Sequence, residues 1–285
     1  MKRIVTMEWV KEHLKDPNIV LADCRFQLGQ KKNKQAYQLT EFIPQSLYFD
    51  LESDLSAPIQ KHGGRHPLPD LSTFIKKLET DGIDENTHVI AYDDQDGSMA
   101  ARLWWLLTYV GHKKASVMDG NFRDWKELGY PISSTYIKRK HTSYVPHIQK
   151  QLLVSMDEVK QKLTNKNTLI IDSREKERYI GDTEPIDAVA GHIPHAYHSF
   201  WRDTKDTNGK FLSDSVLREH FGKLPAAEEI IVYCGSGVTA TPNVLALMET
   251  GKTNVKLYAG SWSDWISYSD NPIEQGERKT FKGRS

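Results

Sequence analysis

Ile230-Ile231-Val232-Tyr233-Cys234-Gly235-Ser236-Gly237-Val238-Thr239-Ala240 is the stretch whose reading decides the fold. Its first four residues are β-branched or aromatic, as in a strand buried on both faces, and they end on a thiol. Two glycines within the next three residues let the backbone curl with its amides inward. The run that follows, Thr241 to Gly251, has proline in its first turn and glycine at its end, which predicts a helix. Strand, glycine-rich turn and helix in that order set the Cys234 sulfur before a helix N-terminus. Free N–H groups and the positive end of the helix dipole favour an anion there, so the expectation is a nucleophilic thiolate. A lone cysteine after a hydrophobic strand is more often inert core. Ser236 and Thr239 argue otherwise, because a purely structural turn has no use for them.

Working outward, the same landmarks occur twice, about 140–150 residues apart. Asp23-Cys24-Arg25 matches Asp172-Ser173-Arg174, and Phe42-Ile43-Pro44 matches His192-Ile193-Pro194. The strand Val89-Ile90-Ala91-Tyr92-Asp93 matches Ile230 to Cys234, Gly120 with Trp125 matches Gly260 with Trp265, and Gly129-Tyr130-Pro131-Ile132 echoes Asn271-Pro272-Ile273. Short hydrophobic runs such as Ile19–Ala22 and Ala115–Met118 alternate with amphipathic stretches over Leu71–Thr80 and Ala100–Val110. That pattern predicts an α/β fold in which each half is a central parallel sheet flanked by helices. The reading divides the chain into an N-terminal domain over 1–134, a polar, basic linker over 135–151 and a C-terminal domain over 152–285. Where the second half has Cys234 the first has Asp93, followed by the acidic loop Asp94-Gln95-Asp96-Gly97-Ser98-Met99. An aspartate can cap amides but carries no sulfur, so the N-terminal half is expected to be inactive and the C-terminal half catalytic.

Composition narrows the function. The chain has 285 residues with 38 basic and 38 acidic side chains, so no field of one sign attracts nucleic acid or a membrane surface. A small-molecule substrate and a protein or thiol partner fit better. Met1 to Lys15 is amphipathic and charged, without the apolar core of a signal peptide, and no stretch approaches the ~20 apolar residues of a membrane span. Cys24 and Cys234 alone make neither a disulfide framework nor a cysteine-rich zinc site. The expectation is a cytoplasmic protein with no metal and no cofactor.

The motifs resemble those of the two-domain, tandem rhodanese family of sulfurtransferases, along almost the whole chain. They are Phe49-Asp50-Leu51-Glu52, Gly64-Arg65-His66-Pro67-Leu68-Pro69, Trp104 to Leu107, Asp119-Gly120 with Trp125, Asp172-Ser173-Arg174, Arg178-Tyr179, Gly191 to Pro194, Cys234 to Ala240, and Gly260 to Trp265. The resemblance implies two rhodanese-like domains and a transferase that loads a sulfane sulfur on Cys234 as a persulfide. The sulfur then passes to cyanide or a thiol, thioredoxin among the candidates. An uncharged loop, Gly235-Ser236-Gly237-Val238-Thr239, is similar to that of the 3-mercaptopyruvate enzymes, whereas thiosulfate enzymes tend to place cations after the cysteine to receive a departing sulfite. One departure from the pattern stands out. The resemblance implies a pair of arginines for the substrate carboxylate; Arg178 is present, but Glu184-Pro185 is followed by Ile186-Asp187 instead of the second. Arg174 is either its replacement or an ion-pair partner of Asp172.

The implied roles are these. Cys234 attacks the donor sulfur, and the amides of Gly235, Gly237, Val238 and Thr239 cradle it. Ser236, His66 and Glu52 form a proton relay, and Arg178 binds the donor anion as a fork of donors. The bland readings are a histidine that fixes a turn and an arginine exposed at a helix start. His192 is assigned to scaffolding, Trp104, Trp105, Trp125, Trp262 and Trp265 to packing, and Cys24 to the core. A mercaptopyruvate enzyme has three rivals. A thiosulfate sulfurtransferase and a noncatalytic persulfide carrier remain; a cysteine phosphatase is disfavoured because the position of its phosphate-holding arginine is Ala240.

Overall fold

A computed structural model of the protein describes residues 2–26, 40–94 and 96–277; Gln95 of the first-half loop lies outside them. The chain forms two compact units. One comprises residues up to Pro58, His66–Lys150 and Lys205–Leu212; the other comprises Ile59–Arg65, Gln151–Thr204 and the chain from Ser213 onward.

In the first unit the elements run β1 (Ile4–Thr6), α1 (Met7–Glu12), β2 (Ile19–Asp23), β3 (Leu47–Tyr48), α2 (Leu71–Thr80), β4 (His88–Tyr92), α3 (Ser98–Tyr109), β5 (Ala115–Asp119) and α4 (Phe122–Glu127). Its sheet has the order β1-β5-β4-β2-β3 with every pairing parallel. Helix α2 begins where Asp70 caps the Thr73 amide and occupies the predicted segment. Residues 134–149 contain no helix or strand and hydrogen-bond to this unit, Thr142 N–H to the Glu79 carbonyl and His147 N–H to that of Val110.

The second unit runs α5 (Met156–Lys162), β6 (Thr168–Asp172), α6 (Lys176–Ile180), β7 (Tyr197–His198), α7 (Asp214–Gly222), β8 (Glu229–Tyr233), α8 (Thr241–Glu249), β9 (Val255–Leu257) and α9 (Ser261–Trp265). Its parallel sheet has the order β7-β6-β8-β9. Strands β3, β2, β4 and β5 of the first unit have the same order, so the sequence repeat is a repeat of topology. It extends to single bonds. Tyr92 donates to Asp23 and accepts from the Ile43 amide, and Tyr233 accepts from the Ile193 amide. Arg25 forks onto Asp23 as Arg174 does onto Asp172. The indoles of Trp125 and Trp265 donate to the carbonyls of Pro131 and Pro272.

Strands β4 and β8 are buried along their whole length, as their β-branched runs require. Around β8, Val159, Ile170, Ile193, Ile231, Tyr233, Tyr258, Trp262 and Trp265 form one core. The apolar burial behind such residues is worth ~1.5–3 kcal/mol per large side chain and holds the end of β8 in place. All five tryptophans assigned to packing are buried.

Candidate active site

Cys234 follows β8 directly, and the chain turns through Gly235 to Ala240 before α8 begins at Thr241 with Pro242 in its first turn. The turn depends on Gly237, whose φ is +75°. A Cβ there would lie 2.9 Å from the Ala259 carbonyl carbon and closer still to its oxygen. With no side chain in the way, the Gly237 N–H points back at the Cys234 sulfur, 3.2 Å away. Ser236 and Val238 are buried beside it, and Thr241 ties the loop to α8 by donating to the Val238 carbonyl at 2.7 Å.

The segment after β9 holds the start of the loop. The Cys234 N–H donates to Ser261 Oγ (3.1 Å), Trp262 N–H to the Cys234 carbonyl (2.9 Å) and Ser263 N–H to the Gly235 carbonyl (3.0 Å). Ser261 meets this demand at φ +57°, an unfavourable region for a residue with a Cβ, and its hydroxyl donates to the Tyr258 carbonyl. Neither its role nor that of Ser263 was read from the sequence.

Both cysteines are free and fully buried, so burial does not tell them apart. Their surroundings do. Cys24 lies just past β2, its thiol near the Ala22 carbonyl; burial first, and then Asp93, Asp23 and Asp54, push it well above the ordinary thiol range. Cys234 instead faces an amide and the positive charge of Arg65.

Arg65 is the residue the sequence reading missed. It belongs to a short segment, Ile59–Arg65, that docks on the catalytic-loop unit far from it in sequence. The segment is fixed by the Gly63 N–H on Asp264 (2.7 Å), the Arg65 N–H on Ser263 Oγ (3.1 Å) and His62 stacked on Tyr268. Gly64 has φ +79° and passes so close to the Gly260 carbonyl that no side chain fits. The Arg65 guanidinium pairs with Asp187, which also receives Arg178 at 3.1 Å. A Cβ on Gly235 would sit 2.9 Å from Arg65 Nη2 and 3.3 Å from Arg178 Nη2, so Gly235 gives both guanidinia room beside the cysteine.

Arg178, on α6, is buried and hydrogen-bonded through Nε to Glu184 at 3.0 Å, not exposed at a helix start. Arg174 is spoken for. It forks onto Asp172, reaches Glu184 and donates to the Gly191 carbonyl; burial lowers its pKa, but the Asp172 and Glu184 carboxylates outweigh that and raise it. Of the two roles open to Arg174, the structure gives the ion pair. His192 stacks on Tyr179 and hydrogen-bonds its carbonyl, as scaffolding does.

The structure thus brings Cys234, Gly235, Ser236, Gly237, Val238, Thr239 and Arg178 together in one unit. His66 and Glu52 lie in the other. Glu52 is exposed there, while Asp50 closes the local turn by accepting from the Glu52 and Ser53 amides. In that unit Asp93 holds the position equivalent to Cys234, and its carboxylate accepts from the amides of Gly97 (2.9 Å), Met99 (2.8 Å) and Ala100 (2.9 Å). The same cradle is filled by an anion built into the chain. Among the described residues no cluster of histidines, cysteines and carboxylates suits a metal ion, and no helix is long and apolar enough to cross a membrane.

The rhodanese-like domain model matches the sequence twice, over residues 6–128 and 155–268. The chain belongs to the rhodanese family. This rhodanese-family protein is 34% identical over 280 residues to a protein of Pseudomonas aeruginosa named as a probable 3-mercaptopyruvate sulfurtransferase, covering 96% of this chain and 99% of that one. It is 30% identical over 292 residues to the thiosulfate sulfurtransferase of Rattus norvegicus, covering 97% and 96%. The crystal structure of SseA from Escherichia coli, one of the 3-mercaptopyruvate sulfotransferases, superposes with a TM-score of 0.79 at 29% identity, covering 92% of this chain and all of that one. The fold expectation, two tandem rhodanese-like domains with parallel sheets flanked by helices, is met.

Proposed function

We propose that this protein is a sulfurtransferase that carries a sulfane sulfur on Cys234, with 3-mercaptopyruvate as donor and a thiol or cyanide as acceptor. The observation that carries the reading is the Cys234 sulfur held on the Gly237 amide beside the Arg65 charge, in a loop with no anionic side chain. Curated relatives along the whole chain bear the names of both mercaptopyruvate and thiosulfate enzymes.

In the first half-reaction the Cys234 thiolate attacks the donor sulfur. The new S–S bond forms as the donor C–S bond breaks, and the electron pair leaves on carbon as the enolate of pyruvate. That carbon takes a proton, for which the Ser236 hydroxyl is the proposed source. In the second half-reaction an acceptor thiolate attacks the outer sulfur of the persulfide and Cys234 departs as thiolate. The amides of Gly235, Gly237, Val238 and Thr239 stabilise negative charge on either sulfur. Arg178, whose guanidinium lies beside Gly235, is the proposed support for the donor anion.

Thiosulfate would load the same cysteine by S–S cleavage with sulfite leaving, but the loop offers that dianion no cation of its own. We assign the chemistry to residues 152–285 and a noncatalytic role to residues 1–134, where the Asp93 carboxylate occupies the cradle. Two free cysteines and the thiol chemistry suit a reducing cytoplasm with thioredoxin as an acceptor. The test is pyruvate release from 3-mercaptopyruvate in the presence of a thiol. Wild type should turn over faster with this donor than with thiosulfate, and Cys234→Ser should be inactive; turnover by that variant would remove the assigned nucleophile.

A further inference from the structure

We propose that Ser261 is a positioning residue for Cys234: its side chain, set on a left-handed backbone position beside a glycine that does not take it, fixes the cysteine peptide so that the sulfur meets the Gly237 amide. The inference rests on the Cys234 sulfurtransferase reading and adds to it a residue that acts on the reaction through the cysteine backbone.

The repeat supplies an internal control. Gly120 and Trp125 of the first unit correspond to Gly260 and Trp265 of the second, so Ser261 corresponds to Asn121. After β5 the chain turns with its positive φ on the glycine, Gly120 at +132°, and Asn121 is extended at −123°. After β9 the positive φ moves one residue on. Gly260 lies at −64° and Ser261 at +57°, where a residue with a Cβ is disfavoured. Such strain persists only where the surroundings over-determine it, and it collects at functional sites. A glycine at 261 would relieve it, so the gain that offsets the strain lies in the side chain.

That gain is an oxygen for the cysteine. Ser261, fully buried, accepts from the Cys234 N–H (3.1 Å) and donates to the Tyr258 carbonyl (2.9 Å). The N–H groups of Trp262 and Ser263 take the Cys234 and Gly235 carbonyls, so three consecutive peptide groups are held from one side. In the first unit the equivalent backbone bond is kept, from Phe122 N–H to the Asp93 carbonyl at 3.1 Å, but Asn121 spends its side chain capping the Asp124 amide of its own helix. The difference follows from the anion each cradle holds. The Asp93 carboxylate has two oxygens and finds three amides. A sulfur is one atom, and whether it meets an amide depends on where the Cys234 Cα–Cβ bond points. Fixing the peptide on either side of that Cα fixes the direction, and an amide aimed before charge develops costs no reorganisation during the reaction.

The experiment compares wild type, Ser261→Ala and Ser261→Gly. Alanine keeps the strained Cβ and loses the hydroxyl; glycine loses both. The readouts are kinetics with 3-mercaptopyruvate, calorimetric binding of pyruvate, urea midpoints, and the pH dependence of Cys234 alkylation by iodoacetamide, followed by mass on its peptide. Both variants should lose roughly 5- to 15-fold in kcat/KM, as expected for one hydrogen bond, mostly through kcat and with pyruvate binding unchanged. Alkylation at neutral pH should slow by a similar factor and converge with wild type at high pH, where ionisation no longer depends on the turn. Ser261→Gly should be more stable than Ser261→Ala, because glycine takes φ +57° without strain, yet no faster. Wild-type kcat/KM or wild-type alkylation in the variants overturns the proposal. So does a rate that recovers with stability in Ser261→Gly, a loss shared by pyruvate binding, or failure of both variants to fold, since each makes Ser261 a structural residue. Alkylation reads the thiol without turnover, which keeps the two readings separable: a wild type with no Cys234-dependent turnover removes the sulfurtransferase reading, and unmoved alkylation in the variants removes this one.

Discussion

Substituting Gly237 by alanine probes the geometry on which the chemistry depends. At φ +75° a residue with a Cβ is disfavoured by roughly 1–2 kcal/mol relative to glycine. The new methyl would also press on the backbone of Ala259, 2.9 Å from its carbonyl carbon and 3.0 Å from its Cα, atoms held by the adjacent β9. Relief requires the loop to move away from β9, which pulls the Gly237 N–H off the sulfur it meets at 3.2 Å. A hydrogen bond to a charged group is worth about 1.5–3 kcal/mol. If it acts on the charge of the reacting sulfur, its loss lowers kcat/KM roughly 10- to 150-fold. Gly129→Ala is the control, because Gly129 has φ +66° but nothing within 4 Å of its missing Cβ. It should lose up to ~1–2 kcal/mol of stability and no activity. The assays are the urea midpoint and donor kinetics of the two variants. A Gly237→Ala enzyme with the activity and stability of Gly129→Ala would refute the argument that the amide-lined turn is built around the sulfur.

The other predictions concern the charges. Asp93→Ala should destabilise the first unit by ~2–3 kcal/mol, since three amides lose their carboxylate, with donor KM unchanged; denaturation midpoints and kinetics check this. Lys205 is pushed down to about 8, by burial first, which Asp119, Asp93, Asp96 and Asp206 only partly offset. The unfolded chain holds this proton up to about 10.4, so the unfolded state binds more protons in between and stability should rise as the pH climbs from about 8 to 10. The rise, ~3 kcal/mol at most, should be absent in Lys205→Met when urea midpoints are compared across that window. Asp172, pushed up by burial but drawn down further by Arg174, has a net lowered pKa. Its contribution to stability is present above about pH 4 and lost as the pH falls through its folded value, and Asp172→Asn should flatten that acid limb of the denaturation curve.

What was legible in the sequence was local or periodic. Ile230–Ala240 reads as strand and turn because β-branched residues and glycines act on their own neighbourhood, and the structure places β8, the loop and α8 accordingly. The repeat was legible because Asp23, Tyr92 and Trp125 do the same work in one sheet that Asp172, Tyr233 and Trp265 do in the other. Arg65 was not. Its place beside Cys234 depends on contacts with Gly260, Ser263 and Asp264, nearly two hundred residues away in sequence, which no local pattern reveals. The adjacent Gly63-Gly64 pair was the available signal: a turn too tight for side chains, delivering one charged residue. Arg174 had two readings that spacing could not separate, and the buried Asp172 carboxylate two residues away decided between them.

The central claim is that Cys234 stores a transferable sulfur atom. Mass analysis of the peptide containing Cys234, after incubation with 3-mercaptopyruvate and removal of excess donor, tests it most directly. The expected result is a gain of one sulfur on that peptide, lost when a thiol is added, with the Cys24 peptide unchanged. An unmodified Cys234 peptide under conditions that release pyruvate, or the added sulfur on Cys24 instead, would contradict it.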